Sequence, residues 1–482
     1  MPRQCVHCPP ESSIVAGFRR IRDQLDVPAS FSDEVLQAAT DAVMAGPRIP
    51  PGAHDKVIDA RDIDFVAIDP PGSTDLDQAF SARRRGDGFT VFYAIADVAA
   101  LVEPGGVVDA EARQRGLTLY SPDVRTSLHP ESINENGGSL LEGRERRALL
   151  WTIQLDAKAG IVDARLQRAD VRNRRQLSYR DAQTEIGTAH ADTPLALLRE
   201  IGLLRQADEA ERGAVSLELP DQEVVPASDG SYELVYDETL PVESWNAQIS
   251  LLTGIAASRI MLDGGVGLLR TLPDPDPRTV GRLRRTARAL GLDWADHVGY
   301  AERVRDLRPD TPERAAMLSQ AARGLRGAGY VSFHDHDPPA DPRHSAIAST
   351  YAHVTAPLRR LCDRFTNEIV LAQCADRPAP EWALEALDDL PSLMGSAKSR
   401  DRNLERALVD YVEAVVLAPR VGESFSAVVT DLDPKRDRGR IQLRHPAVVA
   451  RLPAAGLRLG AEVTVVLEAS DPDEGRVEFS LA

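Results

Sequence analysis

Residues 63–97 combine a short apolar strand, an acidic loop and a β-hairpin in direct succession. The apolar segment is 63–68, and the hairpin strands, 78–85 and 89–97, flank the turn Gly86-Asp87-Gly88. A glycine-containing turn between two strand-like segments is a strong local signal for an antiparallel pair. The sequence therefore predicts a sheet from which the acidic loop leaves and to which it returns.

The acidic loop contains Asp69, Asp75 and Asp77 within nine residues. Clustered carboxylates are the hard oxygen ligands that suit Mg²⁺ or Mn²⁺. Asp75 and Asp77 face the same side of an extended segment, and Gly72 lets the loop bend so that Asp69 can join them. A divalent ion held here could bind a phosphate oxygen and activate a water molecule. Spacing alone leaves open a structural Ca²⁺ site or no ion at all.

The rest of the chain divides into three predicted regions. Residues 1–60 form two helices, the second of which begins with Ser32 as its cap. We read the pair either as a lid on the next domain, which we favour, or as a helix-turn-helix. Residues 61–420 form a mixed α/β (α+β) domain with a second hairpin around 158–160 and helices mainly in 178–210 and 243–415. Residues 421–482 contain short alternating strands at 421–429, 440–443, 461–468 and 476–481, which predict a small β-barrel of the OB type.

Composition narrows the class of protein. The net charge of −17 argues against a non-specific nucleic-acid binder, although a nuclease needs only a local cationic track and an acidic metal site. Arginines cluster at 172–175 and 282–288, either as an RNA track or as solvated helix faces. No long apolar run or secretion signal is present, so we expect a cytoplasmic monomer with no membrane association. Cys5 and Cys8 have the spacing of half a zinc site and lack a second pair.

Several further motifs occur in an order that resembles one known family. They are the loop around Asp69, Asp75 and Asp77, then 93–98, 115–130 with Tyr120, 177–179 with Tyr179, 355–360 with Arg359, and 402–406 with Glu405. Together they resemble the ribonuclease II and ribonuclease R (RNB) family over about residues 60–482. The resemblance implies an RNB-type catalytic domain, a mixed sheet surrounded by helices, followed by an RNA-binding OB module.

The resemblance also implies an activity and assigns residues to it. The expected reaction is Mg²⁺-dependent (or Mn²⁺-dependent) 3′-to-5′ hydrolysis of single-stranded RNA to nucleoside 5′-monophosphates. Asp69 and Asp75 would bind the metal, Asp77 would organise the terminal nucleotide and the reacting water, and Arg359 would neutralise charge on the phosphate. Tyr120 would stack on a base, Tyr179 would position the terminal nucleotides, and Glu405 would contact the end of the RNA.

Structural explanations for three of these residues stay open at this stage. Tyr120 and Tyr179 could be core tyrosines whose hydroxyl groups are satisfied. Arg359 could pair with Asp363 instead of a phosphate.

The chain also departs from the family pattern. Gln78 replaces a fourth acidic residue, which keeps an oxygen ligand for the metal but removes one negative charge. Leu217 stands where a second stacking aromatic is expected in the RNA site, and Asn246-Ala247-Gln248 replaces an acidic pair. These changes define the alternative of a catalytically weak or inactive RNB-type RNA-binding protein. The retained Asp69, Asp75, Asp77 and Arg359 favour activity.

We predict weak processivity. The resemblance begins near residue 60, which leaves too few residues for the paired cold-shock barrels of longer relatives, and Leu217 offers no π-face to a base. A long 5′-labelled RNA should therefore give a ladder of intermediate products. A direct jump from full-length RNA to short end products would contradict this prediction.

Overall fold

The structure is a computed structural model that describes residues 13–53, 56–188, 190–215, 221–226, 232–237, 239–307, 311–433, 437–443, 445–446 and 448–482. Leu217, Cys5 and Cys8 lie outside these ranges. The other two cysteines, Cys362 and Cys374, are not disulfide-bonded. Among the described residues, no helix combines the length and apolar character needed to cross a membrane.

The described ranges contain both helices and strands, with more residues in helices than in strands. The α-helices are α1 (Ser13–Gln24), α2 (Asp33–Ala45), α3 (Val107–Arg115), α4 (Tyr179–Ile186), α5 (Pro194–Glu211), α6 (Pro241–Gly264), α7 (Pro277–Ala289), α8 (Tyr300–Arg305), α9 (Pro312–Ala321), α10 (Leu361–Cys374), α11 (Glu381–Ala386) and α12 (Leu390–Leu417), with a π-helix at Ser132–Gly137. The strands are β1 (Ile58–Asp59), β2 (Phe65–Ile68), β3 (Gln78–Arg85), β4 (Gly88–Ala96), β5 (Leu119–Tyr120), β6 (Arg125–Thr126), β7 (Glu145–Leu155), β8 (Ile161–Leu177), β9 (Asp221–Pro226), β10 (Tyr232–Asp237), β11 (Gly267–Thr271), β12 (Gly329–Phe333), β13 (Arg343–His344), β14 (Ser349–Thr350), β15 (Ser424–Asp433), β16 (Arg438–Leu443), β17 (Val449–Leu452), β18 (Glu462–Asp471) and β19 (Arg476–Leu481).

Five strands of the central sheet close into a ring. The order β8-β2-β3-β4-β7 returns to β8, because this long strand pairs with β7 through residues 161–172 and with β2 through residues 173–177. β8 is parallel to β2 and to the short β1, whereas the other neighbours in the ring are antiparallel. The ring brings the end of β2, the start of β3 and the end of β4 together, and the acidic loop lies at that point.

The two faces of this sheet differ in side-chain size. One face carries large residues such as Phe80, Tyr93 and Trp151, which pack in the same apolar core as α6 and α10. The other face carries Phe65 together with small residues such as Ala79 and Ala94. This alternation follows from the two-residue period of a strand.

The first two helices pack on the remainder of the chain. Phe18 of α1 contacts Tyr411 of α12 edge to face, with ring centroids 5.6 Å apart. Val35 of α2 is buried in a cluster with Ile133 of the π-helix. The predicted cap of α2 is present, because the Ser32 hydroxyl accepts a hydrogen bond from the Val35 N–H at 3.4 Å.

The last five strands form a nearly closed antiparallel sheet in the order β17-β16-β15-β18-β19. Phe425 and Phe479 meet edge to face in its core, with centroids 6.0 Å apart. Gly460 precedes β18 with a φ of +76°, and a Cβ there would lie 2.5 Å from Leu290 Cδ2. The position therefore favours glycine for its backbone angle, and the Leu290 side chain packs directly against it. This sheet is consistent with the predicted OB-type barrel, and the fold is mixed α/β as the sequence predicts.

Candidate active site

The acidic loop is anchored at both of its ends. The Asp69 N–H donates to the Leu177 carbonyl at 3.1 Å, and the Asp77 carbonyl accepts from the Ala96 N–H at 2.9 Å. Gly72 turns the loop with a φ of +79°, as the sequence predicts. The carboxylates are therefore carried by a loop that three neighbouring strands hold in place.

Asp77 faces the turn that carries Arg359. Its Oδ1 accepts from the Leu358 N–H at 2.8 Å, and its Oδ2 lies 3.3 Å from Arg359 Nε. Asp77 is only 6% exposed, and this burial raises its pKa to about 8 against the opposing effect of the Arg359 charge. The Arg359 side chain keeps 32% of its surface exposed beside this buried carboxylate.

The pairing with Asp363 involves Arg360 and not Arg359. Arg360 Nε lies 2.5 Å from Asp363 Oδ2, and its Nη2 lies 2.7 Å from Oδ1, which is a two-bond contact. The same carboxylate accepts from the Ala356 N–H at 2.7 Å and so closes the turn. The ion pair with Asp363, which the sequence left open for Arg359, is therefore made by Arg360.

Asp75 is held by an arginine that sequence reasoning missed. Arg125 Nη1 lies 2.5 Å from Asp75 Oδ1, and Arg125 Nη2 also bonds Glu135 of the π-helix. Burial raises the pKa of Asp75, and the charge of Arg125 opposes the rise. Arg125 lies opposite Tyr120 in the β5–β6 pair. It belongs to segment 115–130, which resembles the family, and this position was the one sequence signal that could have indicated it.

Asp69 completes the set of carboxylates. Burial raises its pKa to about 7, the Arg359 charge opposes the rise, and the Asp75 charge adds to it. Among the described residues, no group of three or more acidic, histidine or cysteine side chains is close enough to hold a metal ion. The structure thus places the three carboxylates within electrostatic range of one another without drawing them to a single point.

The Gln78 amide is already engaged with its neighbours. Its Nε2 donates to the Thr355 carbonyl at 2.6 Å, and its Oε1 accepts from the Tyr93 hydroxyl at 2.5 Å. Ser250 of α6 lies 2.9 Å from the same hydroxyl. Gln78 therefore links the start of β3 to the segment that leads into Arg359.

The two predicted RNA-binding tyrosines border the acidic loop. Burial raises the pKa of Tyr120, with Arg359 and Asp75 as the nearest charged influences. Burial also raises the pKa of Tyr179, whose hydroxyl shares a hydrogen bond with Asn246 and feels the charge of Asp69. Asn246, which departs from the acidic pair of the family, thus lies in the wall of the site.

Glu405 lies on α12. Its neighbour Leu404 belongs to the same apolar cluster as Leu119, the residue before Tyr120. The half-buried His353 hydrogen-bonds the Tyr330 hydroxyl at 2.7 Å.

Comparison with known families identifies the domain that carries this site. The RNB domain matches residues 57–375, about two thirds of the chain. The chain belongs to the RNB family. The RNase II-type exonuclease C-terminal S1 domain matches residues 423–482, where the last sheet lies.

The RNB match extends to full-length relatives at low identity. The chain is 27% identical over 376 residues to the exosome complex exonuclease RRP44 homolog A of Arabidopsis thaliana, covering 74% of this chain and 40% of that protein. It is 23% identical over 481 residues to ribonuclease R of Escherichia coli, covering 90% of this chain and 58% of that protein. The chain therefore spans about half the length of the curated relatives it matches.

A solved RNB structure matches nearly the whole chain. Mycoplasma genitalium RNase R, in complex with ribose methylated single-stranded RNA, aligns with a TM-score of 0.84 over 98% of this chain and 78% of that one, at 18% identity. At this identity the likeness concerns the fold. The predicted RNB-type domain with a C-terminal OB-type barrel is confirmed.

Proposed function

We propose that this RNB protein hydrolyses single-stranded RNA from its 3′ end and releases nucleoside 5′-monophosphates. The observation that carries the proposal is the Asp77–Arg359 pair, in which a buried carboxylate lies 3.3 Å from a partly exposed guanidinium. Both residues belong to the segment that matches the RNB domain. A carboxylate can accept a proton from a reacting water, and a guanidinium can stabilise charge that develops on a phosphate.

A divalent metal, most simply Mg²⁺, suits the donor set of the loop. Asp69 and Asp75 offer hard oxygen ligands, and burial raises the pKa of each carboxyl group. Negative charge that is buried and only partly offset by arginine favours an added cation. When bound, such an ion supplies stabilisation of phosphate charge and a more acidic water.

Gln78 would reach a metal only through Oε1, which already accepts from the Tyr93 hydroxyl. We therefore propose that Asp69 and Asp75 are the principal ligands. The predicted contribution of Gln78 as a third oxygen ligand would need Oε1 to use its second lone pair. Its amide in any case fixes the Arg359 turn through Thr355.

The remaining residues position the RNA in this proposal. Tyr120 lies within electrostatic range of Arg359, and its ring would stack on a base of any identity. Tyr179 stands near Asp69 and is fixed by Asn246, which suits a role in holding the terminal nucleotides. Glu405 on α12 and Leu217, outside the described residues, stay predictions for contacts with the RNA. A monomeric cytoplasmic protein likewise stays a prediction.

The decisive experiment incubates the purified chain with 5′-labelled single-stranded RNA in Mg²⁺, in Mn²⁺ or in EDTA. We expect the labelled RNA to shorten from its 3′ end and nucleoside 5′-monophosphates to accumulate with either metal, and no product in EDTA. RNA binding without product in both metals would instead support the inactive RNA-binding alternative.

Gln78→Asp should lower the Mg²⁺ concentration needed for half-maximal activity, because metal affinity rises with the number of carboxylates. It should also lower stability by about 1–2 kcal/mol through loss of the bond to the Thr355 carbonyl. Gln78→Leu is the matched control, since it removes the same bond without adding charge. An Mg²⁺ titration that shifts equally in both variants, or in neither, would show that the missing carboxylate does not limit metal binding.

A further inference from the structure

A cavity of about 390 Å³ opens near the acidic loop and is separate from the site described above. Its wall combines the end of α2, the π-helix and the start of β7. The π-helix divides the two places, since Glu135 bonds Arg125 on the side of Asp75 while the next residues, Asn136 and Gly137, line the cavity. A group bound in the cavity would therefore be close to the acidic loop without being the group that reacts there.

Three arginines at and just before the start of β7, Arg144, Arg146 and Arg147, give this cavity its positive charge. Two carboxylates, Asp97 and Glu145, also line it, and both pair with arginines outside the lining. Asp97 Oδ2 lies 2.8 Å from Nε of the fully buried Arg168, which also pairs with Glu368. Glu145 lies 3.1 Å from Arg61 and also bonds Arg172. The lining arginines thus outnumber the lining carboxylates, and both carboxylates are already paired elsewhere.

The guanidinium of Arg146 is oriented by carbonyl groups and not by an acid. It donates to the carbonyls of Asn136 at 2.6 Å, Glu145 at 3.0 Å and Ser139 at 3.1 Å. Carbonyl oxygens fix the direction of a guanidinium but leave its full positive charge. Burial lowers the pKa of Arg146, and the neighbouring charge of Arg144 lowers it further, which is the response of a cation that lacks a counterion.

The other two arginines leave donors for a ligand. Arg147 uses Nε to bond Asp170 at 2.9 Å. The Arg144 side chain is exposed, and within the described part of the chain it has no hydrogen bond or ion pair. The cavity thus presents one oriented guanidinium, that of Arg146, and one exposed arginine, Arg144, around a space in the size range of small-ligand sites.

We propose that this cavity binds a phosphate group. Guanidinium groups are the side chains best suited to phosphate, because their planar donors match its oxygens in pairs. The phosphate could belong to the backbone of bound RNA, and this version of the proposal rests on the proposed function. It could also belong to a small molecule such as a nucleoside 5′-monophosphate, and this version is independent of the proposed function.

The test compares Arg144→Glu with Arg85→Glu, both in EDTA so that RNA is not hydrolysed. Arg85 is exposed at the end of β3 next to the hairpin turn, away from the acidic loop and the cavity. Its substitution by glutamate therefore makes the same charge change at a distant place. Titration calorimetry with inorganic phosphate and with adenosine 5′-monophosphate measures small-phosphate binding. Fluorescence anisotropy with a labelled single-stranded RNA measures RNA binding over a range of salt concentrations. Melting curves of both variants confirm that each is folded.

For Arg144→Glu we expect at least a tenfold loss of affinity for at least one probe, because the change removes a charged hydrogen-bond donor and puts a like charge beside the phosphate. Arg85→Glu should keep the parental affinities. A loss for RNA, with a salt slope shallower by about one, would identify the RNA backbone as the source. A loss confined to phosphate or adenosine 5′-monophosphate would identify a small phosphate. Equal affinities of the two variants for all three probes would overturn the proposal, whether or not the chain hydrolyses RNA.

Discussion

Asp77→Asn is expected to lower the rate of RNA hydrolysis by about 10²- to 10⁴-fold while RNA binding stays close to the parental level. Asparagine keeps the Oδ1 that accepts from the Leu358 N–H at 2.8 Å, so the Arg359 turn retains its backbone anchor. It removes the negative charge that faces Arg359 and can no longer take up a proton from water. Initial rates with Mg²⁺ and RNA affinity in EDTA would measure the two effects separately.

Asp87→Asn is the matched control for this variant. Asp87 is exposed in the turn between β3 and β4, at the end of the hairpin away from the acidic loop. Its substitution should leave both the rate and the affinity unchanged. Parental hydrolysis by Asp77→Asn would show that the reaction is centred elsewhere, and equal loss in both variants would point to a general charge effect.

The same arginine-to-lysine change should lower activity at position 359 and stability at position 360. Arg359→Lys keeps a positive charge near Asp77 but loses the planar fork, so hydrolysis should fall by about 10²-fold with little change in stability. Arg360→Lys loses one bond of the two-bond pair with the fully buried Asp363, so the free energy of unfolding should fall by about 1–3 kcal/mol. Steady-state rates and denaturant titrations on both variants provide the measurement.

Two results would contradict this division of roles. One is a loss of stability in Arg359→Lys comparable to that in Arg360→Lys, which would make Arg359 a structural residue. The other is parental activity in Arg359→Lys, which would mean that a point charge is sufficient at this position.

Local sequence signals predicted those parts of the fold that short-range chemistry determines. Both predicted turns of the catalytic domain, at 86–88 and 158–160, connect strands in the structure. The Ser32 cap starts α2 where expected. The predictions missed β11 and β12, which lie in the region assigned mainly to helices, because their five residues each gain stability by pairing across about 60 positions of sequence. They also missed β17, whose four residues carry too few alternations to be recognised.

The identity of the main residues of the candidate site was predictable from the sequence, but the contacts that hold their side chains were not. Residue order indicated Asp69, Asp75, Asp77 and Arg359, and how each side chain is held depends on contacts between distant segments. Arg125 meets Asp75 across 50 positions and Gln78 meets Thr355 across 277, distances at which a local pattern carries no information. The choice between Arg359 and Arg360 as the partner of Asp363 likewise needed the geometry of the turn.

The ring of strands that carries the acidic loop has a consequence for solubility. An open sheet ends in strands with unpaired N–H and C=O groups, which can recruit strands from other molecules and start aggregation. In the ring, β8 pairs with β2 on one side and β7 on the other, so none of the five strands is terminal. The C-terminal sheet ends in β17 and β19, which its near closure brings together, and the RNB domain has further end strands in its short two-stranded sheets. We therefore expect self-association at high concentration to leave the five strands around the acidic loop undisturbed.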